Sequence, residues 1–330
     1  ARPSLWGLAV DAGWPGLLIG EDADGAGLGA YEGMLVLEAC GAVLADAGLL
    51  GHLAASAELE LAEADLDLRT ALAAGEQRAA YADGALGALT VTRRFDRFRL
   101  DGKLEFVLDA AGADVLVIVA TGPDGHDVGL LVDDLGSVSV DERLSYDATR
   151  SLSTVGFDRA WAQRLRIPDG WTAQGRDIQR TLLAAEAVGA ADACLRMARD
   201  YAVDRKAFGR SIGSYQAIKH KLVEMLRRVE SARSLLVYAG RTWHENPSEF
   251  TLAANAARVC AINALDYAAS ENIFIHGGIG ATWEHDAHLF YRRAQVSRRL
   301  TGGADAAAEA VAEQLLELHS TPIYPPLADR

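Results

Sequence analysis

The sequence is short of positive charge. Its 32 lysines and arginines stand against 46 aspartates and glutamates, a net charge of −14. A surface of that sign repels phosphodiester backbones, which excludes nucleic acid as a general partner. Cysteine is scarce as well. Cys40, Cys194 and Cys260 lie far apart in apolar helical surroundings with no Cys-x-x-Cys spacing. That argues against a disulfide framework and fits a reducing cytosol, with the three thiols serving as small buried hydrophobes. No uninterrupted apolar run reaches membrane length. No signal sequence is visible either, so a cytoplasmic location without membrane association is expected. The Gly-rich stretch 13–29 lacks the Lys-Ser/Thr and the strand-turn-helix setting of a phosphate loop or dinucleotide fingerprint.

At 330 residues the chain has room for a large core and about two or three domains. Half of its residues are hydrophobic and 24% are charged, as in a soluble globular protein. Residues 1–76 read as a helical domain. Leu35, Leu37, Val43 and Leu44 sit in an Ala-rich helical stretch continuing to Leu50, and a further helix is expected over 60–72. Residues 77–168 carry β-rich runs at 89–93, 97–100, 104–108, 115–120, 128–132 and 137–140, separated by turn signals such as Asp101-Gly102. Strands at that spacing, without intervening helices, predict a small antiparallel barrel or sandwich. Residues 169–330 return to helix. Helices are expected over 177–205, 214–243 and 247–274, with Pro247 marking a break. A short arginine-rich helix follows the Gly-Gly-Ile-Gly turn at 277–280. A last helix follows Gly302-Gly303, with Ala304, Ala308, Val311, Leu315 and Leu318 on one face. Four long amphipathic helices with short breaks make a four-helix bundle. The Pro-rich tail from Ser320 cannot be helical. The fold class is α+β, mainly α.

The stretch 196–226 joins two of these helices. Ala191, Leu195, Ala198 and Ala202 lie on one helical face before it. Ile218, Leu222, Met225, Val229, Ala232 and Leu236 lie on another after it. Between them, Arg205-Lys-Ala-Phe-Gly-Arg-Ser-Ile-Gly213 gathers cations, an aromatic ring and flexible backbone. That combination suits a ligand with a phosphate and a flat ring. An ordinary helix hairpin with a solvated basic turn satisfies the spacing equally well.

Tyr201, Ala202, Arg205, Phe208, Gly209, Ile212 and Gln216 match the pattern Tyr-Ala-x-x-Arg-x-x-Phe-Gly-x-x-Ile-x-x-x-Gln. Gly277, Gly278 and Gly280 are followed by Glu284 and the pair Arg292-Arg293. In both motifs the chain resembles the acyl-CoA dehydrogenase family, over essentially its whole length. The resemblance implies N-terminal helices, a middle β domain and a C-terminal four-helix bundle. It also implies FAD, an acyl-CoA thioester substrate, a dimer or tetramer, and an electron-transfer flavoprotein as acceptor. In such chemistry a carboxylate base removes the α-proton of the thioester while the flavin accepts a hydride from the β-carbon. By the same resemblance Arg205 and Phe208 contact the ADP part of a neighbour's cofactor, Tyr215 and Gln216 lie beside them, and Gly278 lets the backbone approach. Phe274 replaces the family's usual Gln.

The flavin side departs from the family. The Thr-Glu-Pro and Gly-Ser-Asp elements are gone from 81–90, where the loop is shortened. Phe106 stands for the usual Trp, and Leu108 for a Thr that donates a hydrogen bond. Of the two positions where members carry the catalytic Glu, one holds Thr301 and the other Gln179. Neither is a carboxylate base. Arg180, beside Gln179, is an arginine the family retains near the active site and a candidate for substrate binding; otherwise it is a helix-surface charge. Glu186 reads as a polar residue at a subunit contact rather than a relocated base. Glu284, His285, Asp286 and His288 lack a third ligand at metal spacing, so no metal is expected. Arg292, Arg293, Arg298 and Arg299 read as interface cations more readily than as phosphate ligands. The resemblance therefore implies the base-less subunit of a heteromeric (α2β2) member, sharing FAD with a related chain that carries the catalytic Glu. A monooxygenase-like offshoot and a structural partner without FAD are the alternatives.

Overall fold

The computed structural model describes residues 5–168, 171–172 and 174–320. The chain opens with helices α1 (Trp6–Asp11), α2 (Ala30–Ala42), α3 (Leu49–Leu61) and α4 (Leu66–Ala73). Two of the expected helices are broken. The Ala-rich stretch does not continue to Leu50: α2 stops at Ala42, and left-handed Leu44 (φ 53°) and Gly48 (φ 72°) reverse the chain into α3. The helix expected over 60–72 is split because Glu63 turns left-handed (φ 47°). Asp65 then caps α4, its Oδ1 accepting from the Asp67 and Leu68 amides at 3.1 and 3.2 Å.

A twisted sheet follows: β1 (Ala79–Asp83), β2 (Gly87–Arg94), β3 (Arg97–Leu108), β4 (Val115–Thr121), β5 (Asp127–Val132), β6 (Val138–Glu142) and β7 (Leu152–Arg164). Its order is β1-β4-β5-β7-β3-β2, with β6 also on β7. The expected antiparallel pattern holds except that β1 lies parallel to β4. Asp101-Gly102 is a bulge inside one long strand, not a turn between two. Gly102 is required there: its φ is 127°, and a Cβ would lie 2.0 Å from the Ala88 carbonyl oxygen. The sheet curls around its own core of Leu100, Leu104, Leu116, Ile118, Leu130 and Val155. Alternate residues Val115, Val117 and Val119 of β4 face the helical core instead.

The helical half comprises α5 (Gln174–Asp204), α6 (Gln216–Glu245), α7 (Pro247–His276), α8 (Ala287–Ser297) and α9 (Gly303–Ser320). A minimal hairpin, β8 (Lys206–Ala207) with β9 (Arg210–Ser211), forms the elbow between α5 and α6. Met225, Val229, Ala232 and Leu236 of α6 are fully buried. In α9 Ala307 is buried and Ala308 exposed, so its face is rotated from the expected one. The Pro-rich tail beyond Ser320, and the Leu318 side chain, lie outside the described residues. α2 and α5 cross backbone to backbone through reciprocal glycines. A Cβ on Gly41 would meet the Glu186 carbonyl oxygen at 2.0 Å, and one on Gly189 the Glu38 carbonyl oxygen at 1.9 Å. Cys40 and Cys194 are buried and Cys260 is half-buried; burial pushes the Cys40 thiol up to about 11. Among the described residues no helix is long and apolar enough to cross a membrane.

Candidate functional site

The elbow is held by short local bonds. The Arg205 amide donates to the Tyr201 carbonyl and the Ile212 amide to the Arg205 carbonyl, each at 2.8 Å. The Tyr215 hydroxyl donates to the Ala207 carbonyl at 3.1 Å, and Arg210 lies 4.2 Å over the Tyr215 ring. Phe208 and Gly209 are both left-handed, with φ 53° and 80°. That geometry projects Phe208 outward, 97% exposed. Arg205 and Gln216 are exposed beside it, and Arg205 makes no ion pair among the described residues. Among the described residues nothing covers this aromatic ring and the unpaired guanidinium beside it.

The second motif is brought to the same end of the bundle. Residues Gly277–Ala281 form a 3-10 turn at the end of α7. Gly278 is exposed, and a Cβ there would meet nothing within 4 Å. The His276 ring, just before the turn, stacks on Tyr201 of the first motif at 4.3 Å. Exposed Phe274, Ile279 and Trp283 surround the turn.

The base positions lie elsewhere. Thr301 is buried and left-handed (φ 54°), and its hydroxyl donates to the Leu300 carbonyl at 2.7 Å. Gln179 is buried on α5. Arg180 is no surface charge: it is buried, donating to Asn255 Oδ1 at 2.8 Å with Asp177 at 3.8 Å. Beside the Thr301 turn a cleft of about 580 Å³ opens between the sheet and α8, walled by Phe106, Tyr146, Tyr291 and Leu300, with Arg143 and Arg299 at its edge. No aspartate or glutamate lines it among the described residues. Leu108 is buried. Only the three-residue turn Gly84–Leu86 joins β1 to β2, so no loop reaches over the cleft from there.

Glu186 is not at a subunit contact. It is buried between two equally buried arginines. Arg150 Nη2 pairs with its Oε2. Arg293 Nη1 donates to its Oε1 at 2.6 Å, while Arg293 Nε holds Asp147 and Nη2 donates to Thr149 Oγ1 at 2.8 Å. Arg293 is thereby removed from the interface cations expected of this helix. Burial pushes the Glu186 carboxyl up, but Arg150 and Arg293 outweigh it and hold it below the usual carboxylate range. An ionised carboxylate clamped in this way is not a proton acceptor. The network also anchors residues 147–150, next to the cleft wall. Its members, 36 and 107 residues apart, carry no local sequence signal.

The remaining candidates are dispersed. The His285 ring lies 4.1 Å from that of His276, tilted against it. His288 is buried edge-on to Trp283. Glu284 and Asp286 are exposed. Arg292 donates to the Tyr146 carbonyl at 3.3 Å and lies over the Tyr146 and Trp283 rings. Arg298 pairs with Asp266 at 3.2 Å.

Comparison with known proteins points one way. The sequence profile of the acyl-CoA dehydrogenase C-terminal domain matches residues 169–316. Acyl-CoA dehydrogenase IpdE2 of Mycobacterium tuberculosis is 32% identical over 299 residues, covering 90% of this chain and 82% of that protein. Acyl-CoA dehydrogenase FadE34 of the same organism is 35% identical over 308 residues, covering 92% of this chain and 40% of that longer protein. Among solved structures, a variant of the steroid ACAD Tcur3481–Tcur3483 matches with a TM-score of 0.88 at 26% identity, covering 96% of this chain and 89% of that one.

Proposed function

The chain belongs to the acyl-CoA dehydrogenase family, and from that premise we propose that it is the subunit without a catalytic base in a heteromeric, FAD-dependent member. The observation that carries this reading is the cleft beside Thr301. It has aromatic and cationic walls but no carboxylate among the described residues, whereas thioester desaturation needs a base within hydrogen-bond reach of the α-proton. The likeness to Tcur3481–Tcur3483, whose name joins two components, supports the heteromeric arrangement and favours a steroid-derived acyl-CoA. The domain division we adopt is 1–76, 77–168 and 169–330, with Arg180 placed toward the acyl group. Arg180 Nε is buried without a hydrogen-bond partner among the described residues.

The elbow fits the dinucleotide end of FAD. Arg205 offers a charge-assisted donor, exposed Phe208 a ring to stack on, Tyr215 and Gln216 flank them, and Gly278 leaves room for a close backbone approach. When bound, FAD supplies the hydride acceptor for α,β-desaturation of the CoA thioester. This chain's part is to cap the cofactor of a related subunit that carries the catalytic Glu, with an electron-transfer flavoprotein as the acceptor. Co-expression with such a partner is expected to give about one FAD per pair of chains, as mutual capping requires. A yellow, dehydrogenase-active protein from this chain alone overturns the reading.

Arg205→Ala is expected to weaken FAD retention in the complex by about 1.5–3 kcal/mol, the worth of a charged hydrogen bond. Unchanged flavin content after gel filtration would show that this chain does not cap the cofactor. Thr301→Glu is expected to yield no dehydrogenase activity in the chain alone. The new carboxylate would sit on left-handed backbone, beside a cleft that lacks the flavin-side loop. Turnover of an acyl-CoA by this variant alone would contradict the assignment of the cleft.

A further inference from the structure

Tyr201, His276 and His285 form one aromatic column at the end of the bundle, the first two rings stacked and the third tilted against His276. Tyr201 comes from the last turn of α5, His276 ends α7, and His285 follows the 3-10 turn. The Tyr201 and His276 rings are 4.3 Å apart with planes 28° from parallel. His276 and His285 are 4.1 Å apart and tilted by 44°. The column is tied to both motifs. The Tyr201 carbonyl accepts from the Arg205 amide at 2.8 Å, where the elbow begins. Gly280 packs so closely on His276 that a Cβ there would come within 2.9 Å of the histidine Cβ.

We propose that this column is a positioning clasp that holds the Arg205–Phe208 elbow and the Gly277–Ala281 turn in register, and that it opens in acid. The assignment rests on reading those two segments as one cofactor surface. Neutral rings stack favourably. Protonating His276 places a cation in the middle of the column. The groups facing it are Tyr201 from α5, His285 from the segment before α8, and the Asn272 carbonyl of α7, bonded to its Nδ1 at 2.8 Å. Neither imidazole pairs with a carboxylate among the described residues. Burial, with His285 adding to it and the Asn272 carbonyl opposing, pushes the His276 imidazole below its ordinary value. The clasp is therefore closed at neutral pH. Its contribution is lost as pH falls below about 6.5, through the lowered value of the folded protein.

The test compares wild type, His276→Ala, His276→Phe and Arg205→Ala in complex with the partner chain, with FAD retention read by flavin fluorescence. His276→Ala is expected to weaken FAD binding roughly three- to tenfold at neutral pH. His276→Phe keeps a ring in the column. It should retain wild-type binding and abolish that part of the affinity loss the wild type shows between neutral pH and about pH 5. In the chain alone, amide protection factors across 277–281 should fall in His276→Ala, and in wild type at low pH, but not in His276→Phe. If Arg205→Ala releases FAD while His276→Ala binds it normally, the clasp is wrong and the cofactor surface stands. If Arg205→Ala has no effect, the cofactor reading fails, and the protection factors still decide whether the column holds the turn. Unchanged protection in His276→Ala overturns the clasp.

Discussion

Replacing Glu186 with alanine is expected to destabilise the chain by about 3–5 kcal/mol, the usual cost of stranding buried charge. The carboxylate lies between Arg150 and Arg293, both with side chains almost wholly out of water. Removing it leaves two guanidiniums without their shared counter-charge. It also exposes Arg258 to their field. Arg258 is fully buried on α7 with one bond to the Ser297 carbonyl, and burial together with Arg150 already lowers it to about 9. The effect reaches the cleft, because Arg293 also holds Asp147 and Thr149, next to the wall formed by Leu144–Tyr146. Urea unfolding would read the change as a lower midpoint at unchanged slope. Replacing Arg150, Glu186 and Arg293 by Met, Leu and Met, with Asp147→Asn so that the buried carboxylate held by Arg293 is not stranded in turn, should recover most of the loss, since a buried ion group is often matched by apolar residues of similar volume. A Glu186→Ala midpoint within error of wild type would show that the network carries no stability.

Glu58→Gln should stabilise the protein at alkaline pH and flatten its stability profile. Glu58 sits where α3, β1 and α5 meet. Its Oε1 accepts the Gly175 amide at 2.7 Å, and the Glu58 and Tyr81 side chains leave no room for a Cβ on Gly175. Burial pushes its carboxyl from 4.5 up to about 8, with Asp177 adding to the rise and the Gly175 amide and Arg176 opposing it. The folded state therefore keeps the proton that the unfolded chain gives up. Stability from this group is full below pH 4.5 and declines as pH rises through about 8. The loss accumulates at about 1.4 kcal/mol per pH unit of separation, several kcal/mol in all. Glutamine keeps the acceptor without the titration. His52 acts on the opposite flank. Burial holds it neutral down to about 4, with Nδ1 accepting from the Ala79 amide and Nε2 placed against the Pro15 carbonyl, both at 3.2 Å. Its contribution is lost as pH falls from 6.5 toward 4. Melting curves of wild type and Glu58→Gln between about pH 5 and 9 decide the matter. Parallel profiles would sink the prediction.

The sequence by itself determined the long helices and the family. α6 was legible because a three-to-four spacing sustained over 30 residues buries one face; in α5, buried on every side from Asp177 to Ala191, and in α7 the same spacing marked a helix without marking which face is covered. The elbow and the Gly-Gly-Ile-Gly turn were legible because their chemistry is local: a cation, a ring and glycines within a few residues. The proposal of a missing base starts from the same kind of local reading, of Thr301 and Gln179. Strands β1 and β7 were not. β1 reads Ala-Ala-Tyr-Ala-Asp and is buried throughout, so it shows no alternation, and its partner β4 is 36 residues away. The split between α3 and α4 turned on Glu63 adopting a left-handed conformation, which no propensity announces. Only the tertiary structure decided that Glu186 and Arg293 are an internal ion network, that Arg180 is buried, and that Tyr201 meets His276. Each of these joins side chains distant in sequence, and burial and pairing are properties of the packed neighbourhood rather than of the residue.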